Sequence, residues 1–377
     1  MIRPYYDKDE ITLYQGDLLD VLPQLPETSV DCVVTDPPYG IGFMEREWDH
    51  GVPGAEYWQA IAGVCKPGAP VLAFGGTRTW HRQVVAIEDA GLEIRDCLMW
   101  LYGQGFPKAA DVGKLIDKAA RGVPQGGPDL TSPNHGKYKS GCSGEHPKGR
   151  SFGAGPGAFM KERGQPLNRT LVKEAQPWEG WANALKPAWE PIVLAMKPMD
   201  GTVAHNAAMW GVAGLNIDAS RIGDPSNGRW PANLLLDERA ANMLDEQTGV
   251  LKSGVMKAGQ QRKASKNGGG YHGNMPDEAT ASDTYGDSGG ASRFFYCSKA
   301  SKKERGEGND HPTVKPLDVM KYLLTLTSTP TGGVILDPFS GSGTTALAAK
   351  QLGRRCICIE LDKHNCDIAV ARLEGKQ

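Results

Sequence analysis

Asp36, Pro37, Pro38 and Tyr39 follow one another at the end of a short apolar run. Two consecutive prolines donate no backbone N–H and stiffen the chain. That leaves the Asp36 carboxylate and the Pro37 carbonyl as outward acceptors beside the ring of Tyr39. Such a pair suits an amino group on an aromatic base, which has two N–H donors and a delocalised, poorly nucleophilic lone pair. Acceptors aimed at those hydrogens pull the nitrogen toward a pyramidal, more nucleophilic geometry, while the Tyr39 face stacks on the ring. The plainer alternative is a proline-stopped strand with an acid in the turn. A second stretch, Asp337-Pro338-Phe339-Ser340-Gly341-Ser342-Gly343-Thr344-Thr345, joins an apolar run to a helical one. Its glycines permit a tight turn and close backbone approach to a ligand over a strand end. It contains no Gly-Lys-Ser/Thr, which argues against a phosphate-cradling loop. Glu360, in Ile359-Glu360-Leu361-Asp362, ends the following apolar run. An acid there suits the two hydroxyls of a ribose.

Strands must carry these loops. Residues 11–14, 30–35, 70–74, 93–100, 189–197, 334–336 and 355–360 read as strands; 56–65, 79–90, 344–352 and 363–373 read as helices. Strand–helix alternation predicts an α/β fold, a doubly wound and mostly parallel sheet covered on both faces. The strand before Asp337 should lie beside the strand before Asp36, so that both loops share one carboxyl edge. Residues 103–186 and 199–310 are rich in Gly, Pro, Ser, Asn and Lys, and are expected to be irregular.

With 377 residues, 40% hydrophobic and 23% charged, the composition is that of a globular protein. No run of 18 apolar residues and no secretory leader is seen, so neither a membrane partner nor export is expected. Eight cysteines without a framework spacing fit a reducing cytoplasm. His135, Cys142 and His146 match no metal-site spacing, and no metal is expected. Net charge is −2, which excludes a polycation, but charge is unevenly spread. Between residues 251 and 273 stand Lys252, Lys257, Arg262, Lys263 and Lys266 and no acid. Such a run can track phosphates, or can simply be a solvated loop.

In combination, these motifs resemble the S-adenosylmethionine-dependent DNA amino-methyltransferases, specifically their permuted (beta) class. In that class the Asp-Pro-Pro-Tyr motif precedes the cofactor motif, with target recognition between them. Gly16-Asp17 is similar to the acidic turn that contacts the cofactor adenine. His311-Pro312-Thr313-Val314-Lys315-Pro316 is similar to the segment preceding the cofactor strand. Residues 101–108, Leu-Tyr-Gly-Gln-Gly-Phe-Pro-Lys, look like a stretch common in phage and prophage members. The resemblance covers residues 1–110, 187–200 and 310–377. It implies that Asp36, Pro37, Pro38 and Tyr39 hold and stack on a base extruded from double-stranded DNA. It also implies that Asp17, Thr313, Lys315, Asp337, Phe339, Gly341, Gly343, Thr344 and Glu360 surround the cofactor. Residues 1–102 and 311–377 would be the two halves of the catalytic domain, with 187–198 a strand of its sheet. Residues 103–186 would be an insertion touching DNA, and 199–310 the target-recognition region, with Lys257, Arg262, Lys263 and Lys266 on the phosphates. Members of the class often form homodimers.

Asp at the first motif position leans to adenine N6 as the target; N4 of cytosine is the alternative. Attack by a cysteine on a cytosine ring carbon is excluded, since the Pro-Cys dipeptide of those enzymes is absent. A catalytically silent DNA-binding module would have lost Asp36, Tyr39 or the glycine turn, and all are present. A small-molecule methyltransferase would lack the two polar insertions. Trp178, Trp181, Trp189, Trp210 and Trp230 are either stacking platforms or the core of a small domain.

Overall fold

Strand β3 (Cys32–Thr35) is buried on both faces, as its uninterrupted Cys-Val-Val-Thr run requires. It is a central strand of a ten-stranded sheet in a computed structural model that describes residues 2–41, 49, 51–103, 105, 110–122, 171–224, 228–255, 257, 259, 286–299 and 314–376. The chain divides into two compact units, Met1–Gly103 with Trp189–Gln377, and Gln104–Ala188.

The remaining strands of the sheet are β1 (Tyr6–Lys8), β2 (Ile11–Gln15), β4 (Pro70–Phe74), β5 (Glu93–Leu101), β6 (Trp189–Met196), β7 (Leu234–Asp237), β10 (Tyr296–Ser298), β11 (Val334–Asp337) and β12 (Arg355–Glu360). Two short strands, β8 (Leu251–Lys252) and β9 (Ser288–Gly289), pair separately. The sheet order is β1-β2-β12-β11-β3-β4-β6-β5-β7-β10. β11 and β3 pair in parallel, Ile335 opposite Cys32 and Leu336 opposite Val33, although some 300 residues part them. β12 and β2 continue the parallel set on one side, and β4 on the other. β6 runs antiparallel to both β4 and β5. Its first residues therefore lie at the edge where its neighbours end.

Alternate residues of each central strand feed two cores. Val33, Val71, Ala73, Val193, Leu336 and Ile359 pack with side chains of α1 (Leu18–Val21), α2 (Ala55–Val64) and α3 (Trp80–Asp89). Cys32, Val34, Leu72, Phe74, Ile192, Ile335, Cys356 and Cys358 face the other way. They meet three helices that follow later in the chain, spanning Leu317–Leu326, Thr344–Gln351 and Lys363–Leu373. The fold is thus α/β, with helices on both faces of a mostly parallel, Rossmann-like sheet.

The expectation that 199–310 is irregular is corrected. Among its described residues, β7 and β10 extend the sheet with the helix α6 (Glu238–Thr248) between them in the chain, and α5 (Val203–Met209) precedes them. Strands of three and four residues are too short to show a period. In the second unit, α4 (Val112–Ala120) is capped by Asp111, which accepts from Lys114 N at 3.0 Å. Buried Asp117 there accepts from Arg121 and from Val172 N at 2.9 Å. Trp178 and Trp181 meet edge to face at 5.6 Å and are 43% and 60% exposed, which is not the burial of a core pair. The three helices named last above are α7 (Leu317–Leu326), α8 (Thr344–Gln351) and α9 (Lys363–Leu373). Among the described residues no helix is long and apolar enough to cross a membrane, and no cluster of His, Cys, Asp and Glu is set to hold a metal. His135, Cys142 and His146 lie outside the described residues.

Candidate active site

Two strand ends begin the site. Thr35 closes β3 and Asp337 closes β11, and the Thr35 hydroxyl donates to Asp337 Oδ1 at 2.6 Å across 302 residues of sequence. This bond ties the loop holding Asp36 to the glycine turn. Asp337 also accepts from Phe339 N at 3.3 Å. It is almost wholly buried, and burial pushes its carboxyl up to about 6 despite hydrogen bonds from Thr345 and Thr35. Asp337 therefore braces the turn from beneath.

The turn itself is held by Glu360 at the tip of β12. Its carboxylate accepts from Gly341 N at 2.7 Å, Asp362 N at 2.9 Å and Asn365 Nδ2 at 3.3 Å. Burial raises its carboxyl above the usual range, against the pull of these donors. Asp17, just past β2, caps α1 by accepting from Leu19 N at 2.9 Å. Gln15 of β2 lies opposite Glu360, and Gly16 N donates to the Glu360 carbonyl at 2.9 Å. Asp17, Glu360 and the glycine turn thus share one edge. Phe339 packs on Trp58, ring centres 6.4 Å apart. Thr344 is turned inward, its hydroxyl accepting from buried Arg372 at 3.0 Å.

Gly343 adopts the left-handed conformation, φ 76°, and starts α8. A Cβ there would lie 2.7 Å from the Cβ of Ala369 and 3.2 Å from its Cα. Gly343→Ala should therefore destabilise the protein by about 2–4 kcal/mol, combining backbone strain with overpacking. Gly63→Ala is the control: in α2, a Cβ at Gly63 meets nothing within 4 Å. That change should stabilise by about 0.5–1 kcal/mol. Thermal melting of both variants checks this, and equal midpoints would show the close approach at Gly343 to be immaterial.

Asp36 and Tyr39 stand beyond the end of β3, joined by residues from two distant segments. The Tyr39 hydroxyl lies 2.8 Å from Asp36 Oδ1 and 3.0 Å from Glu190 Oε2. Lys315 Nζ donates to Asp36 Oδ2 at 2.7 Å and to the Tyr39 hydroxyl at 2.9 Å, and pairs with Glu190 at 3.3 Å. It also stands 5.2 Å from the Tyr39 ring centre and 4.9 Å from that of Phe74. Burial alone would lower the Lys315 ammonium; the two carboxylates outweigh it and raise it above its ordinary value. Burial, Asp36 and Glu190 together hold the Tyr39 phenol well above its ordinary value, so it stays a neutral donor. Pro37 is buried and Pro38 half-buried. Beyond them Gly40 N donates to Asp49 Oδ1 at 2.7 Å, and Ile41 N to Asp49 Oδ2 at 3.3 Å. From the start of α3 the Thr79 hydroxyl donates to the Tyr39 carbonyl.

The sequence-derived residues therefore fall into two adjoining groups on one edge. Asp17, Phe339, Gly341, Gly343 and Glu360 gather at the glycine turn, with Asp337 below it. Lys315, grouped with the cofactor residues by its motif, instead contacts Asp36 and Tyr39 directly. Glu190 and Asp49 belong to neither motif. Lys257 is exposed; Arg262, Lys263, Lys266 and Thr313 lie outside the described residues.

The sequence pattern of the N6/N4 DNA methylase family matches residues 158–371, more than half of the chain. The chain belongs to the DNA methylase family. This DNA methylase is similar to the type II methyltransferase M.ScaI of Streptomyces caespitosus, 24% identical over 374 residues, 99% of this chain and 84% of that one. It is also similar to the type II methyltransferase M2.DpnII of Streptococcus pneumoniae, 46% identical over 76 residues. That match spans 20% of this chain and only 28% of the relative. Among solved structures, the M1.HpyAVI–SAM complex has a TM-score of 0.42 at 16% identity, covering 96% of this chain and 99% of that one. The cytosine-N4-specific PvuII DNA methyltransferase has a TM-score of 0.44 at 14% identity, covering 99% and 96%.

The methyl donor of this DNA methylase is S-adenosylmethionine, which supplies an electrophilic methyl group on a sulfonium. The donor set fits it. Acids at Asp17 and Glu360 suit the adenine and the ribose hydroxyls respectively, the glycine turn carries no lysine, and the buried Ser340 hydroxyl has no hydrogen-bond partner among the described residues.

Proposed function

We propose that this DNA methylase is of the permuted, Asp-Pro-Pro-Tyr class and methylates N6 of adenine in double-stranded DNA after turning the base out of the helix. One observation supports this above the rest. The Asp36 carboxylate and Tyr39 stand at the same edge as the glycine turn, joined to it by the Thr35–Asp337 bond. Asp36 and the Pro37 carbonyl accept from the target amine, and Tyr39 lies against the base. Asp17, Phe339, Gly341, Gly343 and Glu360 hold the methyl donor, with Asp337 and Thr344 setting the turn that presents it. Rate comes chiefly from holding amine nitrogen, methyl carbon and sulfur in line. Extruding the base costs a few kcal/mol, recovered on binding.

In this reading residues 1–102, 187–198 and 311–377 make the catalytic domain, with Thr313 and Lys315 on its returning segment. Residues 103–186 and 199–310 face DNA, with Lys257, Arg262, Lys263 and Lys266 at the phosphates. Nucleoside mass spectrometry on DNA methylated by the purified protein is expected to show N6-methyladenine. N4-methylcytosine in its place would move the target to cytosine while leaving the site intact, and the absence of both methylated bases would defeat the reading.

A further inference from the structure

Lys315 carries three ammonium hydrogens, and three acceptors surround it: Asp36 Oδ2 at 2.7 Å, the Tyr39 hydroxyl at 2.9 Å and Glu190 Oε2 at 3.3 Å. The Tyr39 hydroxyl has one proton of its own. With Lys315 donating to its oxygen, that proton goes either to Asp36 Oδ1 at 2.8 Å or to Glu190 Oε2 at 3.0 Å, not to both. The two positions are nearly equidistant, so rotation about the C–O bond suffices to exchange them. While the hydroxyl points at Asp36, both Asp36 oxygens are engaged. When it points at Glu190, Oδ1 is released and Lys315 still fixes Oδ2.

Glu190 is costly where it stands. It is the second residue of a strand whose next five residues are buried, and it adds a second carboxylate to a cluster holding one ammonium. Two carboxylates about one ammonium leave one negative charge in excess, and Lys315 between them is itself buried. The place of Glu190 follows from topology: because β6 is antiparallel, its beginning meets the ends of β4 and β5.

We infer that Glu190 is a positioning residue for methyl transfer, taking over the Tyr39 hydroxyl so that Asp36 Oδ1 is open to the substrate amine. This rests on Asp36 as the acceptor of that amine. The test is a double-mutant cycle in the full-length protein, using tritiated S-adenosylmethionine and duplex DNA, with cofactor affinity from calorimetry. Glu190→Ala, which leaves no acceptor at position 190 for the Tyr39 hydroxyl, should lower kcat about tenfold while KM for DNA and cofactor affinity change less than about twofold. In the Tyr39→Phe background no hydroxyl competes for Asp36, so the same substitution should cost less than about twofold. An equal loss of kcat in both backgrounds, a wild-type kcat in Glu190→Ala, or a parallel fall in cofactor affinity would overturn the inference. Asp36→Ala, measured alongside, separates the two levels. An active Asp36→Ala enzyme removes the premise, whereas an inactive one beside an unaffected Glu190→Ala removes only the role of Glu190.

Discussion

Asp36→Ala is expected to lower methyl transfer by about 10³-fold or more while leaving S-adenosylmethionine affinity nearly unchanged. In the proposed reading the contact removed is one made to the reacting amine, and the groups around the glycine turn do not depend on it. Nor should the cluster collapse. Lys315 loses its 2.7 Å partner but keeps the Tyr39 hydroxyl and Glu190, so the buried ammonium retains a counter-charge. Losing every partner of a buried charge would instead cost several kcal/mol. Asp36→Asn is not a mild control. Whichever way the amide is turned, it offers one oxygen where the carboxylate offered two, and its NH2 then faces either Lys315 Nζ or the Tyr39 hydroxyl. A tritium-transfer assay together with calorimetric titration separates rate from cofactor binding. Loss of both in equal measure would assign Asp36 to the cofactor rather than to the base.

The parts of this site that could be read in the chain are those whose chemistry is local. β4, β12 and α9 run between the residues expected, because each is a continuous apolar or periodic stretch with clear stops. The pairing of β11 with β3 followed from a general rule of open α/β sheets, not from any residue near either strand. Glu190 was not legible. The strand carrying it was, but whether its first residues meet the carboxyl edge depends on strand direction, which periodicity does not encode. Its only local signal is an acid between Trp189 and Pro191 at the mouth of an otherwise apolar strand. Lys315 was found for its motif, yet its contacts come from the path of the segment before α7. In that helix seven of ten residues are buried, and the half-buried Asp318, Lys321 and Thr325 leave only a narrow polar stripe. Asp49 was hidden for a different reason. Its carboxylate accepts from the N–H groups of Gly40 and Ile41, nine and eight residues earlier, a pairing that no helical or strand period encodes.

Asp337 ties the two halves together at a cost in stability, and that cost sets a second large expected effect. Its carboxyl is pushed up to about 6 from an ordinary value of 3.8, chiefly by burial. The folded state therefore favours the protonated form. Stability from this group is full below the unfolded value, falls as pH rises between about 4 and 6, and stays low above. The shift corresponds to about 3 kcal/mol at neutral pH. Asp337→Asn should consequently raise stability at pH 8 by up to that amount, with the gain vanishing toward pH 4, where the wild-type acid is itself neutral. The amide can keep the local bonds: its oxygen faces the Thr35 hydroxyl and Phe339 N, and the Thr345 hydroxyl turns to accept from the new NH2. Activity should move the opposite way if, as proposed, the turn hanging from these bonds presents the methyl donor, since a stabler, slower enzyme is the usual exchange at such positions. Urea unfolding at a series of pH values, paired with methyl-transfer rates, measures both. A stability difference that does not grow with pH would mean that Asp337 is ionised without penalty, and that the bonds from Thr35 and Thr345 already compensate its burial.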